Sequence, residues 1–198
     1  CSQGGIGWPD HVLFYDNKGK LVGALDTANI GKSPGRQQVS KVVIGAKGVQ
    51  VTVDAVPLTG DNELWGTSIA SVFYAWNPGK SQMRQQRAVI STPDSQAKMF
   101  VQALQRRSES AAKRLAPRVN VRQALPSAGV KVRFERCIGT YSDGRVFGNI
   151  DAGSLMELGQ RGCLLSYSSS DGRSALSMAV FQRSGFTWNV VDFVGIAS

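Results

Sequence analysis

The sequence has one histidine, His11, and this excludes a histidine-rich metal centre. With cysteines only at positions 1, 137 and 163, it also makes a poor zinc set. No run approaches the roughly 18 apolar residues that a membrane-crossing helix needs. The strongest stretch, Ile69 to Trp76 (IASVFYAW), has the length of a strand. Acids are few and scattered, so a paired-carboxylate hydrolase has no anchor. No Gly-x-Ser-x-Gly pattern surrounds Ser168-Ser169-Ser170, which precedes Asp171-Gly172 and reads as a hairpin loop. Gly31-Lys32-Ser33 imitates the end of a phosphate-binding loop, but the glycine required five positions earlier is Asp26, and Pro34-Gly35 follows instead of a helix. Asp16-Asn17-Lys18-Gly19 lacks the alternating acids and closing Glu of a calcium loop and reads as a turn. No cofactor, metal or catalytic residue is expected. His11, beside Pro9 and Asp10, is expected at the surface.

The chain contains enough apolar residues for a core, 42% of 198, with 19% charged. Glycine outnumbers proline 22 to 7, which suits many tight turns. Residues 10–90 read as strands. Val12 to Tyr15 and Leu21 to Leu25 flank the turn at Asp16 to Gly19. Val39 to Ile44 and Val49 to Val56 flank Lys47-Gly48, and Val49, Val51 and Val53 alternate with polar residues, so this strand has one wet face. Thr67 to Trp76 is a long strand ended by Asn77-Pro78-Gly79.

The pattern changes at Ser91. Ser91-Thr92-Pro93-Asp94 supplies helix-start residues, and Phe100, Leu104, Ala111 and Leu115 share one face at helical spacing. One long helix is expected over about 94–115, ended by Pro117. Strands return from Val130, at Arg145 to Ile150, Leu164 to Tyr167, Ala175 to Gln182 and Phe186 to Val194, with a short helix expected over about 152–158 behind Asp151. The expected class is α+β, an antiparallel β-rich domain with these two helices. A tether at 1–9 would precede a single domain at 10–198. The alternative is a β-rich part at 10–90, a basic helical segment at 91–129 and a second β-rich part at 130–198. Trp76 and Trp188 lie in strands and are expected in the core, whereas Trp65 is a candidate interface anchor.

The cysteine count leaves an even pair, Cys137 and Cys163, once Cys1 is set aside. A bridge between them would close a loop of 27 residues counting both ends. The chain-entropy model assigns such a loop roughly 3.5 kcal/mol. That pairing fits an oxidising compartment, whereas two buried thiols would fit a reducing one. The start Cys1-Ser2-Gln3-Gly4-Gly5 resembles the mature start of bacterial lipoproteins. The resemblance implies lipidation of Cys1, a Gly-rich spacer and, with Ser2 in place of Asp, an outer-membrane lipoprotein facing the periplasm. Each buried CH₂ of such an anchor adds about 0.8 kcal/mol of membrane affinity. The alternatives are an arbitrary boundary at Cys1, or an N-terminal cysteine hydrolase whose nucleophile is Cys1.

The net charge of +9 is unevenly distributed. Residues 1–80 hold seven Lys/Arg and six Asp/Glu, and residues 137–198 hold four and five. Residues 81–136 hold twelve and three, so the whole excess lies in and around the expected helix. Arg106, Arg107, Lys113, Arg114, Arg118 and Arg122 are the candidate partner- or polyanion-binding residues; arginine suits bidentate contacts to carboxylate or phosphate. Only Phe100 and Phe134 are aromatic in that stretch, too few for a single-strand stacking platform. The expected function is therefore a non-enzymatic envelope lipoprotein. By analogy with its class it would be a structural or accessory subunit of an assembly such as a secretion or conjugation machine, binding other envelope proteins or copies of itself. The alternative is a nucleic-acid-binding or virion structural protein that uses residues 81–136.

Overall fold

The structure, a computed structural model, describes residues 9–30, 37–59, 61, 66–139, 155–157 and 159–196. Two compact units divide the chain, Cys1–Ser91 and Thr92–Ser198. The architecture is α+β: three antiparallel sheets and two α-helices.

The first unit opens with a hairpin of β1 (His11–Tyr15) and β2 (Leu21–Asp26). Its turn is held by the Asp16 carboxylate, which accepts from the amides of Lys18 and Lys20 at 2.8 and 2.9 Å. Gly19 takes the positive φ of +78° that the reversal needs. The remaining strands, β3 (Gln38–Gly45), β4 (Gly48–Val56), β5 (Ser68–Asn77) and β6 (Gln82–Ile90), form a meander in that spatial order. The alternation read in β4 buries Val51 and Val53 completely. They pair with Val72 and Ala70 of β5 and pack with Phe14, Val22, Leu25 and Tyr74. Polar side chains fasten the hairpin to β3. Thr27 donates to the Asp10 carbonyl at 2.8 Å, Asp10 accepts from the Val39 amide at 2.8 Å, and the buried Gln37 side chain donates to the Ile30 carbonyl at 2.9 Å.

The turn falls on Ala46-Lys47, one residue earlier than expected, and Gly48 opens β4 with a φ of +134°. A β-carbon there would overlap the carbonyl oxygen of Tyr74, which is backbone and cannot step aside. Gly48→Ala is expected to lower stability by about 1–3 kcal/mol. A urea midpoint equal to that of the parent would contradict this reading.

Two features of this unit depart from expectation. Strand β6 gave no periodic signal because it is an edge strand with nearly every side chain exposed, so no apolar face was selected. Trp76 is not a core residue. It stands at the exposed end of β5, 48% accessible, while Trp188 in the second unit is fully buried as expected.

The second unit begins with α1 (Asp94–Gln105) and α2 (Glu109–Leu115), followed by β7 (Lys131–Gly139), β8 (Gln160–Ser168), β9 (Ser174–Ser184) and β10 (Thr187–Ile196). The strands lie in the order β10-β9-β8-β7, all antiparallel. The single helix expected over 94–115 is two helices. Arg107 adopts φ +51°, its amide donates to the Leu104 carbonyl, and the Ser108 amide donates to the Ala103 carbonyl, both at 2.9 Å. That is a Schellman ending with arginine in the position usually taken by glycine. Ser108 then caps α2 by accepting from the Ala111 amide. At the start of α1, Pro93 is the cap residue and no side chain caps the turn. The apolar stripe continues across the break, which hid it from a periodicity argument. Most of the expected short helix at 152–158, and the strand at Arg145 to Ile150, lie outside the described residues.

Cys137 and Cys163 are bonded, at an S–S distance of 2.02 Å. They face each other in register across β7 and β8, with Cα atoms 4.0 Å apart. Both faces of β8 are buried. On the face bearing Leu165, Phe100 of α1 meets Phe193 of β10 edge-on at 6.5 Å. On the other, Ile138, Leu164, Met178, Val180 and Ile196 pack with Met156.

Candidate functional site

Of the twelve cations between residues 81 and 136, Arg84 and Arg87 sit on β6 of the first unit. Lys131, Arg133 and Arg136 lie on β7. The charge excess is therefore not confined to the helices, because strands at sheet edges carry part of it. Arg87 stacks over Phe73 at 4.1 Å and Lys98 stands over Phe134 at 5.6 Å, which engages two cations with aromatic faces.

The six residues singled out from the sequence occupy the break between α1 and α2, α2 itself, and the turns after it. All six are exposed, but they divide into two groups. Arg107 donates to the Pro126 carbonyl at 3.2 Å, Lys113 to the Val119 carbonyl at 3.0 Å, and Arg122 pairs with Glu109 at 3.0 Å. These three tie the turns at 116–126 back onto the helices. Sequence reasoning assigned them outward and missed this role, because nothing in local spacing reveals a side chain returning to a distant carbonyl. The side chains of Arg106, Arg114 and Arg118 meet no hydrogen-bond or ion-pair partner among the described residues. Glu109, an acid of α2, is already taken by Arg122. Such an exposed pair contributes no more than about 1 kcal/mol, but it removes the neutralising charge from the other arginines.

Arg118 also lines a cleft of about 360 Å³ with Arg183, Gln182, Ser184 and Asn189. This groups an arginine from the turn after α2 with one from β9, a juxtaposition that the sequence does not display. A larger cleft of about 580 Å³ lies by the β8–β9 hairpin, lined by Ser127, Gly129, Tyr167, Ser169, Asp171 and Arg173 among others. Its chemistry is internally satisfied. Tyr167 donates to the Ala124 carbonyl at 2.8 Å, and burial raises its hydroxyl pKa. Asp171 accepts from Arg173 Nε at 2.7 Å and from Ser169, and these bonds hold its carboxyl at about 2. A lowered carboxyl pKa contributes stability above its ordinary value near ~3.9 and loses it as pH falls through about 2. Arg173→Ala is expected to return the Asp171 titration toward the ordinary carboxylate range. Side-chain carboxyl NMR shifts against pH check this, and an unmoved titration would refute the assignment.

His11 lies 3.7 Å from the Asp26 carboxylate at the partly exposed end of the first hairpin. No cluster of three or more His, Cys, Asp or Glu able to hold a metal occurs among the described residues. Among the described residues no helix is long and apolar enough to cross a membrane. Cys1, Trp65 and Gly31-Lys32-Ser33 lie outside the described residues. No protein-family model, curated protein or solved structure matches the chain.

Proposed function

We propose that the protein is a non-catalytic accessory or structural subunit of a cell-envelope assembly. It docks an acidic surface of another envelope protein, or of a further copy of itself, through the cations around α2. The carrying observation is the state of Arg106, Arg114 and Arg118: exposed, mutually near in sequence, and without an acid to meet them among the described residues. Guanidinium groups in that state favour bidentate carboxylate partners. The Cys137–Cys163 bond supports an oxidising compartment, weakly.

The test is co-sedimentation of the purified protein with envelope fractions of its own source, comparing the parent with the triple variant Arg106→Glu, Arg114→Glu, Arg118→Glu. These side chains make no hydrogen bond or ion pair among the described residues, so the variant's unfolding midpoint should match the parent's while its binding falls at least about tenfold, a loss of about 1.4 kcal/mol. Equal retention of both proteins would overturn the proposal. The competing reading, a nucleic-acid or other polyanion binder, predicts duplex DNA binding that weakens steeply with salt.

A further inference from the structure

We propose that the outer edge of β3, residues 40–45, receives an extended, acid-flanked segment of another protein, which adds to the first unit's sheet as a further strand. β3 is the terminal strand of its sheet, and only its start is covered. The Asp10 amide donates to the Gln37 carbonyl and the Val39 amide donates to the Asp10 carboxylate. Beyond Val39, no hydrogen bond meets that edge among the described residues. An edge of this kind is normally blunted by charge, proline or a bulge. Here the irregularity at Val39/Lys41 and Lys41 itself guard only the beginning. Val42, Val43 and Ile44 follow, 46%, 43% and 81% accessible. Three successive exposed β-branched residues beside unpaired main-chain groups are a template for strand addition.

A shallow cavity of about 220 Å³ lies on one face of this sheet and begins at Val43 of β3, with Gln50 of β4 and Phe73 of β5 in its lining. An added strand sets alternate side chains beside those of β3, so an apolar residue every second position suits the exposed Val42 and Ile44. Charge decides between occupants. From residue 37 to residue 50 the only charged side chains are Lys41 and Lys47, and no ion pair engages either among the described residues. Two copies joined edge to edge would bring lysines together with no acid between them. A partner strand with Asp or Glu at its ends would neutralise them instead. This surface belongs to the first unit and does not depend on the cations of the second.

The probe is a labelled peptide with a Val-Thr-Val-Thr-Val centre and an Asp-Glu pair at each end, measured by fluorescence anisotropy against the full chain. Its comparisons are a Lys-flanked version and a version with a central Pro. The expected result is binding of the acid-flanked peptide, at least about tenfold weaker binding of the other two, and slowed amide exchange at 40–45. Ile44→Lys should weaken binding by a similar factor with the unfolding midpoint unchanged. The proposal is overturned if none of the peptides slows exchange at 40–45, if flanking charge makes no difference, or if protection appears at 106–122 instead. It is likewise overturned if the peptide-free protein already dimerises through this edge.

Discussion

Replacing Cys137 and Cys163 together by alanine is expected to lower stability by about 3.5 kcal/mol, the chain-entropy value for the loop they close. The bond joins directly opposed residues of neighbouring strands and so adds little to native pairing that the ladder does not already supply. Its main effect falls on the unfolded chain, whose loop between the two strands is otherwise unconstrained. Cys163 is fully buried, so removal of its sulfur from the core adds a smaller packing loss. Chemical unfolding of the parent, the double variant and the reduced parent checks this. The variant and the reduced parent should unfold at nearly the same denaturant concentration, both well below the oxidised parent. A reduced parent as stable as the oxidised one would contradict the account.

Phe100→Ala is expected to cost about 3–5 kcal/mol, the range for truncating a buried phenylalanine. Phe100 is fully buried and is the large side chain by which α1 grips the sheet, through its edge-on contact with Phe193. The helix that it holds ends in the turn that carries Arg106 and Arg107, so the loss reaches the candidate docking residues through α1. A double-mutant cycle with Phe193→Ala should return a coupling of about 0.5–1.5 kcal/mol, as aromatic pairs do beyond their buried area. Loss of less than about 1 kcal/mol on Phe100→Ala would mean that α1 is held chiefly by other contacts, such as the Gln105 side chain donating to the Val132 carbonyl.

The strands that announced themselves did so through periodicity joined to turn chemistry. Val49, Val51 and Val53 alternate with polar residues and end at Gly48, whose backbone only glycine tolerates. Strands flanking Asp16 to Gly19 and Asp171-Gly172 were legible for the same reason. β6 was not, because an exposed edge strand needs no apolar face. The break at Arg107 was hidden because tertiary contacts, including the Arg107 bond to Pro126, hold a non-glycine residue in a left-handed conformation. Trp76 misled because strand membership does not fix burial at a strand's end. The run Val42-Val43-Ile44 identified a strand but gave no sign of its exposure. Consecutive apolar residues in a strand ordinarily mean burial on both faces, yet here they lie exposed on an outer edge. Among the basic residues, sequence placed the charge but not its use, since the partners of Arg107, Lys113 and Arg122 are carbonyls or an acid brought close by the fold.

The most direct test of an exported, disulfide-stiffened docking protein is the intact mass of the natively expressed chain, before and after reduction. The account predicts a gain of two hydrogens on reduction and protection of Cys137 and Cys163 from alkylation beforehand. A native chain in which both thiols alkylate without reductant would contradict it, and would move the protein to a reducing compartment.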